Sequence, residues 1–162
     1  MNPNLPGITF VIQRHGNAAP GAVDVVRPLT ELGHEQRIAM GVKLIAKDDL
    51  TTPALIIASV AKRVVDTVAR DPFICRHVQL GELYTGQDED GATLGALFKE
   101  LKYSSYRTYL MHDATGAYNR WADSAYRAVN TAMAAAGVTS GTVLIGTHAI
   151  NANALALEIL KD

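Results

Sequence analysis

The stretch Ile8-Thr9-Phe10-Val11-Ile12-Gln13-Arg14-His15-Gly16 decides how the rest of the chain is read. Its apolar run has the length and β-branched content of a buried strand. That strand delivers a guanidinium and an imidazole at its carboxyl end. Gly16 follows, and without a Cβ it lets backbone and anion approach closely. A neutral imidazole nitrogen can attack phosphorus, while a guanidinium offers planar, permanently charged donors to phosphoryl oxygens. A strand running into Arg-His-Gly therefore suits phosphoryl transfer, although three residues alone carry little weight. A second stretch, Val143-Leu144-Ile145-Gly146-Thr147-His148, repeats the pattern near the other end of the chain, again a buried-strand run that ends on a histidine.

Between these two strands, continuous apolar runs alternate with helical periodicity, which predicts an α/β domain with a mostly parallel sheet covered on both faces. Expected strands are Ile8–Gln13, Ala54–Ala58, a short one at Val78–Leu80, and Thr142–Thr147. Thr30 reads as the N-cap of a helix with Glu31 in its first turn, running through Met40 and Leu44. Val64, Val65, Val68 and Ala69 form the stripe of a second helix, ended by Pro72. Asp90 is the expected cap of a helix carrying Leu94, Leu97, Phe98 and Leu101. A longer helix carries Tyr118, Trp121, Ala125, Val129 and Met133 and stops near Gly137, and a last one carries Ala152, Leu155, Ala156, Ile159 and Leu160.

Composition narrows the function classes. The 162 residues are 48% hydrophobic and 19% charged, with net charge −1, and are expected to form one domain over 1–162. Near-neutral charge gives no general attraction to nucleic acid or to an acidic membrane, so any anion must be held by a local cluster. No stretch is apolar enough to span a bilayer and the first residues lack a signal-peptide pattern, so a cytoplasmic location is expected. Cys75 is the single cysteine, which leaves no intrachain disulfide and no thiolate metal cluster.

In open α/β sheets ligands bind beyond the carboxyl ends of the strands, and the candidate residues fall there repeatedly: Arg14 and His15, Ser59 to Arg63, Glu82, and His148. On these and other segments the chain resembles the histidine phosphatase superfamily, the group that contains the phosphoglycerate mutases. Arg14-His15-Gly16 resembles the family signature. Leu29-Thr30-Glu31-Leu32-Gly33-His34-Glu35-Gln36 resembles its Leu-Thr-x-x-Gly-x-x-Gln segment, and Ser59 to Thr67 resembles Ser-x-x-x-Arg-x-x-x-Thr. The small size, and Val26-Arg27-Pro28-Leu29-Thr30 after a short first loop, are most similar to the bacterial phosphohistidine phosphatases.

The resemblance implies a three-layer α/β/α sandwich, phosphoglycerate mutase-like, and a two-step mechanism. His15 would become phosphohistidine, with Arg14 and Arg63 clamping the equatorial oxygens, and water would then hydrolyse the intermediate. His148, if protonated, would add a donor and positive charge. No metal and no cofactor are needed, because arginines and imidazolium already balance the phosphate. Glu82 is the expected acid for the leaving group, its setting resembling a Glu-x-x-x-Gly segment of the family, with Asp88, Glu89 and Asp90 as neighbouring alternatives.

Several side chains admit a plainer role. Ser59 is read as a helix cap and Lys62 as a solvated head. Asn17 would donate to bound phosphate or form a turn, and Arg27 would reach over the pocket or brace it. His34, His77 and His112 lack paired metal-site spacing and read as surface or satisfied polar residues. Specificity is expected in Leu83–Asn119, where Gly86, Gly91 and the polar aromatic stretch Tyr103–Tyr109 suggest loops shaping the approach. The expected activity is a metal-independent phosphatase acting on a phosphorylated small molecule or a phosphoprotein, including protein phosphohistidine. The alternatives are a noncatalytic phosphate-binding module or, less favoured, a phosphomutase. No nucleic-acid or membrane partner is expected, and the oligomeric state stays open.

Overall fold

A computed structural model describes residues 7–21, 23–46, 52–69, 75–85, 88–102 and 104–161. Its sheet contains β1 (Ile8–Arg14), β2 (Leu55–Ser59), β3 (Arg76–Leu80) and β4 (Gly141–Thr147), in the spatial order β1-β4-β2-β3 with every pairing parallel. The helices are α1 (Glu31–Ala46), α2 (Lys62–Val68), α3 (Glu89–Leu101), α4 (Tyr106–His112), α5 (Ala117–Ala135) and α6 (Ala149–Ile159).

Residue alternation along the central strands builds the three layers. Leu55, Ile57, Val143 and Ile145 pack against residues of α3, α5 and α6, among them Leu94, Trp121, Val129 and Leu155. The intervening Ile56, Ala58 and Leu144 face the other way, onto Val64 and Val68 of α2, with Leu44 of α1 beside them. All five residues of β2 are buried, which is why its sequence reads as an unbroken apolar run. Gly146 marks the point where α2 presses on β4, since a Cβ there would stand 2.6 Å from Val68 Cγ1 and 2.9 Å from Val64 Cγ1.

The helix ends follow local chemistry. Thr30 Oγ1 accepts from Gly33 N at 3.1 Å, the cap expected for α1. At α3 the cap is Asp88, which accepts from Gly91 N at 2.7 Å, two residues before the expected Asp90. Asp113 accepts from Ala117 N and Tyr118 N and so starts α5, which gives way to Gly137 at φ 69°. The stretch expected to be a loop around Tyr103–Tyr109 is instead largely α4, capped by Ser105, with Tyr109 fully buried in the core. Tyr103, Gly86 and Pro72 lie outside the described residues.

Candidate active site

The strand ladder sets the two histidines side by side. Arg14 is registered opposite Thr147, so His15 and His148 are each the next residue beyond that last rung. His15 N donates to Thr147 O at 3.2 Å, and the two imidazole centroids lie 5.2 Å apart, edge to face. Arg63, in the first turn of α2, reaches the same point with its side chain only 6% exposed. Its Nε donates to His15 Nε2 at 3.3 Å and its Nη2 is 3.3 Å from His148 Nδ1. Together with Arg14, these residues line a cavity of about 330 Å³. The sequence-predicted core of the site is therefore brought together.

Hydrogen bonding fixes the tautomers. A carbonyl only accepts, so His15 Nδ1, 2.7 Å from Gly16 O, carries the proton, and the Nε2 lone pair accepts from Arg63 Nε. Burial lowers the His15 pKa below its ordinary value; the Gly16 bond opposes this, and Arg63 and Arg14 lower it further. The ring is thus neutral at pH 7, as a nucleophile must be. Arg63 only donates, so His148 accepts at Nδ1 and carries its proton on Nε2, which faces Ser59 Oγ at 3.3 Å. Burial, reinforced by Arg63 and His15, pushes the His148 pKa down to about 3. In the unliganded site His148 is therefore neutral, because burial and the charges of Arg63 and Arg14 oppose its protonation more than Asp24 favours it.

One participant carries no signature in the sequence. Asp24, in a short 3-10 turn, spans the far end of Arg63: its backbone oxygen accepts from Nη1 at 2.6 Å and its Oδ2 from Nη2 at 2.7 Å. Oδ1 accepts from Arg27 Nη1 at 2.8 Å, and Oδ2 accepts from the Tyr84 hydroxyl at 2.8 Å. Burial works to raise the Asp24 carboxyl, but hydrogen bonds from Arg63, Tyr84 and Arg27 outweigh it and hold the pKa below the usual range. Tyr84 is pushed up to about 12, by burial first and then by Asp24, and its ring stands edge-on to His148 with centroids 5.4 Å apart. The only clue in the sequence is a carboxylate in an otherwise small and apolar loop. Its partner Arg63 lies 39 positions away.

The remaining candidates divide. Arg27 both lines the cavity and braces its loop, donating to Ala19 O at 2.6 Å. Ser59 is not the cap of α2; it is buried and holds His148. Thr67 donates to Arg63 O at 2.6 Å and accepts from Gly16 N at 3.1 Å, tying the loop after β1 to α2. Asn17 lies outside this cavity: its side-chain oxygen accepts from Thr30 and it lines a second crevice beside α1. Glu82 is not brought to the site either. The 3-10 turn Gly81–Leu83 sends Leu83 into the core and leaves Glu82 exposed, outside the cavity lining.

Lys62 turns to Asp66 at 2.8 Å, a solvated i,i+4 pair. His34 and His77 are exposed, and exposed His112 is 3.8 Å from Glu100. Among the described residues no group of three or more His, Cys, Asp or Glu is placed to hold a metal ion, and no helix is long and apolar enough to cross a membrane.

The N-terminus of α6 completes the cavity. Ala149, Ile150 and Asn151 line it, and the side chain of His148 makes no capping bond to their amides. Backbone N–H groups with the positive end of the helix dipole thus join the arginines in favouring an anion.

No protein-family model and no curated protein matches the chain. Solved structures do. A candidate phosphohistidine phosphatase SixA from Nakamurella multipartitia aligns with TM-score 0.56 and 21% identity over 90% of this chain and 62% of that one, so the chain spans less than two thirds of that protein. Phosphoserine phosphatase from Entamoeba histolytica, in complex with 3-phosphoglyceric acid, gives TM-score 0.62 at 13% identity, covering 95% of this chain and 80% of the other. A mycobacterial glucosyl-3-phosphoglycerate phosphatase complexed with VO3 gives 0.55 at 20% identity, covering 93% and 80%. At these identities the likeness is one of architecture, and the chain has the phosphoglycerate mutase-like α/β fold shared by these phosphatases.

Proposed function

We propose that the protein is a histidine phosphatase that works without a metal, through a phosphohistidine on His15. The observation that carries this reading is the His15 ring itself: Nδ1 is fixed on Gly16 O, and Nε2 is a neutral lone pair facing Arg63 in an anion-favouring cavity. The Nε2 lone pair forms a bond to phosphorus, and the bond from phosphorus to the leaving group breaks with its electron pair going to that group. Water then attacks phosphorus, the P–N bond breaks, and phosphate leaves with His15 restored. The Nε and Nη2 edge of Arg63, facing both imidazole nitrogens, would grip equatorial oxygens. A phosphoryl dianion beside His148 favours its protonated form, so the second histidine gains its charge on binding rather than before.

The carboxylate inside the cavity, Asp24, is held ionised, and Glu82 is outside it. That supports substrates whose leaving group departs without a strong acid, such as an acidic phenol or the imidazole of a protein phosphohistidine. The test is hydrolysis of p-nitrophenyl phosphate in EDTA by the parent protein and by His15→Ala. Activity in the parent that vanishes in the variant, with an acid-labile phosphoprotein trapped in the parent, is the expected result. Full turnover in His15→Ala overturns the mechanism, and inactivity of both favours a noncatalytic phosphate-binding module.

A further inference from the structure

The cavity is lined by residues of two different characters. Its charged residues belong to the clamp or its brace, and Tyr84, edge-on to His148, stands beside them. Beside Thr85 and the first turn of α6, the wall also takes Leu94, Gly95 and Phe98 from α3 and Tyr118 from α5. Leu94 and Leu97 of α3 turn into the core at 2% and 8% exposure, whereas Phe98, on the same apolar stripe, remains 44% exposed at the cavity wall. A Cβ on Gly95, one turn before Phe98 on α3, would meet nothing within 4 Å, so the cavity wall at Gly95 is open. No titratable carboxylate, amine or guanidinium of the lining belongs to α3.

We propose that this wall is a leaving-group subsite that takes a phosphoryl group carried on a planar ring, a phenol or an imidazole, in preference to one carried on a polyol. The inference rests on the reading of His15, Arg63 and His148 as a phosphoryl site. A ring laid against Phe98 and across Gly95 removes apolar surface from water on both partners and can take the offset or edge geometry that aromatic pairs prefer. Polyol hydroxyls placed there would give up water without gaining charged or carboxylate partners. Phosphorylated phenols and phosphohistidine share the ring, so the assay compares the two.

The test is equilibrium binding of phosphonates, which cannot be hydrolysed and so report without turnover: methylphosphonate, phenylphosphonate, 1,2,3-triazol-4-ylphosphonate as the imidazole-sized ring, and 2,3-dihydroxypropylphosphonate. Both ring compounds are expected to bind about tenfold tighter than methylphosphonate, and the dihydroxypropyl compound no tighter. The tighter ring identifies the source, aryl or imidazole. Phe98→Ala and Gly95→Leu, both at exposed helix positions, should each cut the ring preference to less than about threefold while methylphosphonate binds as before. Equal binding of ring and methyl compounds by the parent, a polyol preference, or a ring preference that survives both variants overturns the subsite. Loss of a different kind, with neither methylphosphonate nor inorganic phosphate binding at all, overturns the phosphoryl site and the subsite with it.

Discussion

An arginine has five N–H donors, and the fold divides those of Arg63 by edge. The Nη1 and Nη2 end is spent on Asp24, at 2.6 and 2.7 Å, while the Nε and Nη2 side meets imidazole nitrogens at the longer distance of 3.3 Å. Short bonds hold the plane and long ones mark the side open to substrate. On the proposed reading Asp24 is a positioning residue, and its charge offsets that of Arg63. Asp24→Ala is expected to lower kcat/KM for p-nitrophenyl phosphate by about 10- to 100-fold with the circular dichroism spectrum unchanged, and Asp24→Asn, which keeps an acceptor oxygen, to recover part of that loss. At this scale the sequence makes legible His15 and His148, each directly after a strand, and Arg63, in the helix that begins just beyond β2. Asp24 is invisible there because its meaning comes from a partner brought near only by folding. Glu82 is misread because its strand end is right but the rotation of the turn after it, which buries Leu83, cannot be seen in a string of residues.

Elements meet at points where a side chain has no room. A Cβ at Gly33 would lie 2.1 Å from Asn17 O, and one at Gly16 would lie 2.7 Å from Gly33 O, so the loop after β1 and the first turn of α1 touch backbone to backbone. The two sequence segments that resemble family motifs are thus one packed joint, with Thr67 clasping it from α2. Gly33→Ala forces backbone to move and should cost about 1–3 kcal/mol, read as a lower urea midpoint, with a fall in turnover as the loop bearing His15 shifts. Most strands and helices are readable from periodicity because buried runs and stripes reflect the layers directly. The helix α4 is not, since Tyr-Arg-Thr-Tyr is a poor helix former by propensity. It is held by the Ser105 cap and by burial of Tyr109, whose hydroxyl bonds Lys102 O.

For the molecule as a whole, the same neutral histidines couple stability to pH. His148 is pushed down to about 3 and His15 is also lowered, whereas in the unfolded chain both take up protons near 6.5. Below that value the unfolded state binds more protons than the native one. Stability is thus fully present above about 6.5 and falls as pH drops toward 3. Urea unfolding at pH 7.5 and 5.0 should show a lower midpoint at 5.0, and His148→Gln should shrink the difference. Saturating phosphate should shrink it as well, because the bound dianion lets the native state take up the proton, which calorimetry in buffers of different ionisation enthalpy would register as proton uptake on binding.

The two imidazoles each follow the last rung of the β1–β4 ladder, a pairing with every residue of β1 in register. Their separation is consequently a matter of bookkeeping in the strands and not of loop conformation. To move one ring relative to the other by a residue, all seven rungs between β1 and the inner strand β4 must be broken and re-formed. In hydrogen-exchange terms, the buried amides of β4 that lead to His148 should open with the slow core of the molecule, and those of the edge strand β1 that lead to His15 should open sooner.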